Sequence, residues 1–131
     1  MIGGLSEGYN MITYAVDGRF ITLTTTGKTM ASERQAIYES IRSDPKVPDG
    51  AFLVIDIRKY EILLTQLELQ NRVRALLEGL SSKIGTSCAI IVGDASLRVG
   101  LSFQLVAANS NFRVGVFHDE ASARNWLIPG V

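Results

Sequence analysis

Two stretches of this sequence, residues 51–57 (Ala-Phe-Leu-Val-Ile-Asp-Ile) and 87–92 (Ser-Cys-Ala-Ile-Ile-Val), are apolar without the alternation of a half-exposed strand. Strands of that kind are buried on both faces and belong to a parallel sheet covered by helices. Between them, in residues 66–84, Leu69, Val73, Leu76, Leu77, Leu80 and Ile84 follow the 3, 4 spacing of one buried helical stripe. Parallel neighbours need a crossover, and a helix of this length supplies one. This β-α-β unit narrows the choice of folds more than any other feature of the chain.

The flanking sequence extends the same alternation. Residues 11–16 and 20–26 are β-rich runs joined by Asp17-Gly18, a dipeptide suited to the positive φ of a tight hairpin. Residues 30–43 turn helical, with Ile37 and Ile41 four apart, Ser32 and Gln35 at capping-box spacing, and Pro45 beyond the end. Pro48-Asp49-Gly50 predicts a turn. In the second helix Glu68 and Arg72 are expected as an outward i, i+4 pair, and Gly85 stands where a left-handed stop is expected. Ser96 is placed to cap a third helix, with Leu97, Leu101, Leu105 and Ala108 at turn spacing. Residues 113–117 read as a last strand, and Asp119 as the cap of a short helix ending near Trp126 and Leu127. The order ββαβαβαβα predicts one α/β domain: a five-stranded mixed sheet with four helices, antiparallel only in the N-terminal hairpin.

Length and charge close off other classes. At about 100–200 residues per domain, 131 residues make one domain. The 13 Lys and Arg balance the 13 Asp and Glu, and the halves split after Thr65 carry −1 and +1, so nucleic acid is not an expected partner. No apolar run approaches the ~20 residues that span a bilayer. The lone Cys88 excludes an internal disulfide, and residues 1–9 lack the basic and apolar regions of a secretory signal, so the expected compartment is the cytoplasm. Residues 1–9 read as a flexible N-terminal extension.

Gly27-Lys28-Thr29 matches the end of a phosphate-binding loop, but such a loop needs a glycine five positions before Gly27, where Thr22 stands. The fragment reads as a strand-to-helix turn. His118, the only histidine, has no Gly-x-Ser-x-Gly elbow to serve, and with Cys88 it falls short of a metal cluster. It is expected as the polar end of the fifth strand, Cys88 as a small core residue and Trp126 as a core plug. With no acid–base pair, nucleophile constellation or metal cluster, neither an enzyme nor a cofactor is expected.

In open α/β sheets ligands bind outside the carboxyl ends of the parallel strands, beside helix N-termini. The loops there hold Lys28 and Thr29; Arg58, Lys59 and Tyr60; Asp94, Ser96 and Arg98; and His118, with Asp56 just inside. Such a rim suits an anion or a partner loop, although turns are polar and helix starts need caps in any protein. Arg58 and Arg98 follow neighbouring strands and are expected either as two forks for a carboxylate or phosphate, or as partners of Glu61 and Asp94.

The segments Leu53-Val-Ile-Asp-Ile-Arg58, Gly93-Asp-Ala-Ser-Leu-Arg-Val-Gly100 and Arg113-Val-Gly-Val-Phe-His-Asp-Glu-Ala-Ser-Ala-Arg-Asn-Trp-Leu127 resemble the SpoIIAA-like (STAS-like) proteins of bacteria. The resemblance runs over residues 14–127 and is most specific in Phe-x-Asp-Glu-x-x-Ala-x-x-Trp-Leu. STAS domains dock partner proteins and switch when a Ser or Thr at the start of the second helix is phosphorylated, usually within an Asp-Ser-Ser-Gly-like motif. Here that region runs Asp56-Ile-Arg-Lys-Tyr-Glu-Ile-Leu-Leu-Thr65, without the motif; Thr65 stands in the equivalent place as a helix cap. The group also resembles CRAL-TRIO lipid-binding domains in architecture.

The resemblance implies a non-catalytic binding or regulatory module that docks a protein partner, with Asp56, Arg58, Tyr60, Thr65, Asp94, Ser96, Arg98 and His118 as candidate binding residues. The alternative it implies is a small-molecule or lipid carrier with a pocket between helices and sheet. A small anionic or apolar ligand and a homodimer both stay open. In a carrier, Leu97, Leu101, Phe103, Leu105 and Phe112 would line a cavity above ~300 Å³. They are expected to fill it instead.

Overall fold

The computed structural model describes residues 11–60 and 63–128. The expected N-terminal extension, residues 1–9, lies outside them, as does Glu61. β1 (Met11–Asp17) and β2 (Phe20–Thr26) form the antiparallel hairpin, closed by Gly18 and Arg19 with Gly18 at φ +59°. β3 (Ala51–Asp56), β4 (Ile84–Ile91) and β5 (Arg113–Phe117) add to β2 in parallel. The sheet has five strands in the order β1-β2-β3-β4-β5.

Helices α1 (Ala31–Ser43), α2 (Gln66–Leu80) and α3 (Leu97–Ala108) connect the parallel strands. Crossovers of one hand between strands added in one direction place their helices on one face. Tyr38 and Ile41 of α1, Leu69, Val73, Leu76 and Leu80 of α2, and Val99 and Ala107 of α3 share the larger core there with Ile21, Leu53, Cys88 and Ile90. A final helix, α4 (Glu120–Leu127), follows β5 rather than joining two strands, and packs on the opposite face against β3, β4 and β5. Its Ala123 and Leu127 meet Val54, Ala89 and Ile91 in a smaller core edged by Phe20, Phe52, Phe117 and Trp126.

Several local expectations give way to packing. The second helix ends at Leu80, because Ser81 and Lys83 turn the chain through N–H bonds to the carbonyls of Leu77 and Leu80. Ile84 and Gly85 therefore belong to β4, and Ile84 continues the buried stripe from a strand by coincidence of spacing. The cap of α1 is made by Glu33, whose Oε1 accepts the Met30 N–H at 2.7 Å, rather than by Ser32 and Gln35. Glu68 turns back to accept the Thr65 N–H at 2.9 Å, so it makes no ion pair with Arg72. Trp126 is half-buried at the edge of the smaller core, beneath the Arg113 guanidinium.

α3 is rotated from the expected stripe. A Cβ on Gly100 would stand 2.6 Å from Val92 Cγ1, so only glycine allows the helix to lie this close to the sheet. That contact turns Val99, Gly100 and Ala107 inward and leaves Leu101 and Leu105 exposed. Of the five large residues expected to fill the space beside this helix, Phe112 is buried, Leu97 and Phe103 are half-buried, and the other two face outward.

Candidate functional site

Strand order without a reversal opens no crevice at the carboxyl edge of the sheet, since such a crevice forms where the order turns back. The space lies instead between the larger face and its helices. A partly open cavity of about 80 Å³ is lined by Ile55 and Ile90 from the sheet, Tyr38 from α1, Leu76 from α2 and Phe103 from α3. That is well below the ~300 Å³ that would mark a drug-sized carrier pocket. Tyr60, in the loop after β3, turns back into it. The side chain is 2 % exposed, and its hydroxyl has no hydrogen-bond partner among the described residues.

Two arginines border the same cavity, Arg34 from α1 and Arg72 from α2. Both also line a wider outer groove of about 450 Å³ between these helices, so they stand where the cavity meets solvent. Arg34 Nη1 donates to the Thr29 carbonyl at 2.8 Å and to Thr29 Oγ1 at 3.1 Å, and its other nitrogens make no hydrogen bond among the described residues. No carboxylate lies within ion-pair distance of either arginine among the described residues. Burial draws the Arg34 guanidinium below its ordinary value, and the like charge of Arg72 adds to the effect. Burial likewise raises the Tyr38 phenol, against the pull of both arginines.

The other expected site residues do not gather. Asp56 ends β3 and holds Arg58 in a fork, with Oδ2 to Nη2 at 2.6 Å and Oδ1 to Nε at 3.0 Å. Burial alone would raise the Asp56 carboxyl, but the Arg58 side chain and backbone N–H together hold it below its ordinary value. Arg58 is thus occupied within its own loop rather than free as one of two forks. Arg98 is exposed on the first turn of α3, with no ion pair to Asp94 among the described residues. Ser96 is fully buried, its Oγ accepting the Gly93 N–H at 3.0 Å within a tight turn, so it braces the loop instead of capping α3 by its side chain. Asp94 and His118 are exposed at separate loops. Thr65 caps α2: its Oγ1 accepts the Glu68 N–H at 3.1 Å. Gly27, Lys28 and Thr29 form a strand-to-helix turn in which Thr29 is buried against Arg34.

Of the eight expected residues only Tyr60 enters the cavity; its companions Arg34 and Tyr38 are not among the candidates the sequence offers, and Arg72 is expected there only as an outward partner of Glu68. A signal existed. Arg34 precedes Tyr38 by four residues and Arg72 precedes Leu76 by four, so each arginine sits one turn from a buried residue of its helix. Charged residues at the edge of an apolar stripe are ordinarily solvated, which is why the pattern carries little weight alone.

A mixed five-stranded sheet of this order, with three helices on one face and one on the other, defines an α/β fold of the SpoIIAA-like kind. A solved structure from Shewanella loihica PV-4, described as an uncharacterized protein of the DUF3478 family with a SpoIIAA-like fold, superposes with a TM-score of 0.56. The two chains are 18% identical, and the match covers 90% of this chain and 93% of the other. No family model and no curated protein matches the chain. At that identity the likeness shows the fold, in agreement with the resemblance read from the sequence.

Proposed function

We propose that this protein is a non-catalytic binding module whose ligand pocket lies between the larger sheet face and α1–α3. The observation that carries the reading is the Tyr60 hydroxyl, buried without a partner among the described residues in a cavity that opens to solvent. A buried polar group left unpaired costs about 1–3 kcal/mol, and an occupant that accepts its hydrogen bond removes that cost. Against chemistry, the Cys88 thiol is sealed in the core with its pKa raised by burial, and the rim carboxylates Asp56 and Asp119 are committed to local hydrogen bonds. Small probes carrying one hydrogen-bond acceptor, screened by NMR on the full chain, should shift Tyr38, Tyr60 and Ile90, and Phe103→Trp should fill the space and abolish the shifts. Probes that leave those residues unmoved in the parent protein overturn the reading.

A second reading, docking of a protein partner or a second copy, is favoured by Leu101 and Leu105, one turn apart on α3 and 44% and 72% exposed. Sedimentation of the full chain tests the self-association form. A concentration-dependent dimer that Leu105→Glu dissolves supports it, and a monomer at every concentration removes it. No helix among the described residues is long and apolar enough to cross a membrane.

A further inference from the structure

The cavity has a polarity that its size and apolar lining do not explain. Most of its wall is apolar, Ile12, Leu23, Ile55, Leu76, Ile90 and Phe103 among it, yet two guanidiniums and a phenol without a hydrogen-bond partner among the described residues sit at it together. Two like charges at one opening repel each other, and no carboxylate among the described residues comes within ion-pair distance of either, Glu33 and Glu68 acting on them only from further off. A guanidinium presents a planar fork that matches a carboxylate, and a phenol donates one further hydrogen bond. The missing element is a compact anion.

Size limits what else the ligand carries. The cavity of about 80 Å³ is roughly half of the ~150 Å³ that holds a benzene ring, so it accommodates about three or four carbon atoms. The outer groove that Arg34 and Arg72 also line gives the charged end a route to solvent. Phosphate would bring no apolar part to set against the apolar wall of the cavity, which a short aliphatic chain does.

Building on the pocket reading above, we propose that the site takes a short-chain aliphatic monocarboxylate. Its chain lies in the cavity, and its carboxylate sits between Arg34 and Arg72 and accepts from the Tyr60 hydroxyl. Arg34, already fixed by Thr29, is the rigid half of the clamp, and Arg72, with no ion-pair partner among the described residues, is the half that closes.

Titration of butyrate, butyramide and inorganic phosphate into the full chain, followed by NMR and calorimetry, tests this. Butyrate should shift Tyr38, Tyr60, Ile90 and Val99, and butyramide of nearly the same shape should bind about tenfold more weakly or worse. Arg72→Gln should bring butyrate down to the level of the amide, while Phe103→Trp should abolish both. Equal binding of butyrate and butyramide overturns the carboxylate inference and leaves the pocket standing. Phosphate binding more tightly than butyrate overturns the aliphatic chain. Unchanged butyrate affinity in Arg72→Gln overturns the clamp, and failure of both organic probes removes the pocket reading along with the inference.

Discussion

On the smaller face of the sheet, Arg124 lies 4.5 Å over the Phe20 ring and reaches two carboxylates, Asp17 at 2.9 Å and Glu120 at 3.0 Å. On the larger face, Arg34 and Arg72 border an apolar cavity with no acid within ion-pair distance among the described residues. Each face also leaves one buried side-chain polar atom without a partner among the described residues, Arg124 Nε and the Tyr60 hydroxyl. The resemblance ends there. Arg124 Nε belongs to a guanidinium whose other nitrogens are engaged, whereas the hydroxyl is all the hydrogen-bonding capacity of the Tyr60 side chain. The smaller face is electrostatically closed and reads as structure; the larger face is left open at one place, and that place is where a ligand belongs.

The largest effect concerns which face holds the molecule together. Leu53, at 0% exposure in the larger core, should lose about 2–5 kcal/mol on Leu53→Ala, measured by denaturant unfolding. Leu127→Ala in the smaller core should fall at the low end of about 2–5 kcal/mol, because a terminal helix can shift to fill the space. Equal costs would break the ranking of the faces.

The arginines separate next. Arg124→Gln should cost about 1–2 kcal/mol through two partly exposed ion pairs and a ring contact. Arg72→Gln, which relieves repulsion with Arg34, should leave the free protein as stable or raise it by a few tenths of a kcal/mol, about the size of one like-charge contact. A clear loss from Arg72→Gln would show that the larger face is not electrostatically open.

One substitution at two tyrosines should then give opposite signs. Tyr14 donates to Asp44 Oδ2 at 2.8 Å, and Tyr14→Phe should cost about 0.5–1.5 kcal/mol. Tyr60→Phe removes a hydroxyl with no partner among the described residues and should stabilise the unliganded protein by about 1 kcal/mol, read as a higher denaturation midpoint. Destabilisation by Tyr60→Phe would mean the hydroxyl is satisfied in solution.

The smallest effect is an acid dependence at the rim. Arg58 holds the folded-state pKa of Asp56 below its unfolded value, so this stabilisation is complete above about pH 4 and is lost as pH falls through the folded pKa. Arg58→Gln should therefore be less stable than the parent at neutral pH, with the gap narrowing on acidification. A gap that stays constant with pH would place the Arg58 contribution in packing.

Much of the fold was legible because it rests on periodicity and caps, which act over a few residues. Continuous apolar strands at β3 and β4, the stripe of α2, the Thr65 and Asp119 caps and the two-residue hairpin all follow from local physics. What lay beyond reach depended on contacts between elements. The stripe spacing could not show that Ile84 continues the core from a strand, and the leucine spacing of α3 could not show that Gly100 would seat against Val92 and turn Leu101 and Leu105 outward. The site divides in the same way. Sequence position named the loop that carries Tyr60, since every loop after a parallel strand reaches the same edge of the sheet. Only the tertiary packing of α1 and α2 against that face brought Arg34 and Arg72, 38 positions apart in the sequence, to one cavity beside it. A helical pattern fixes which residues share a face; how far that face tilts toward a neighbouring helix is decided by the side chains of both.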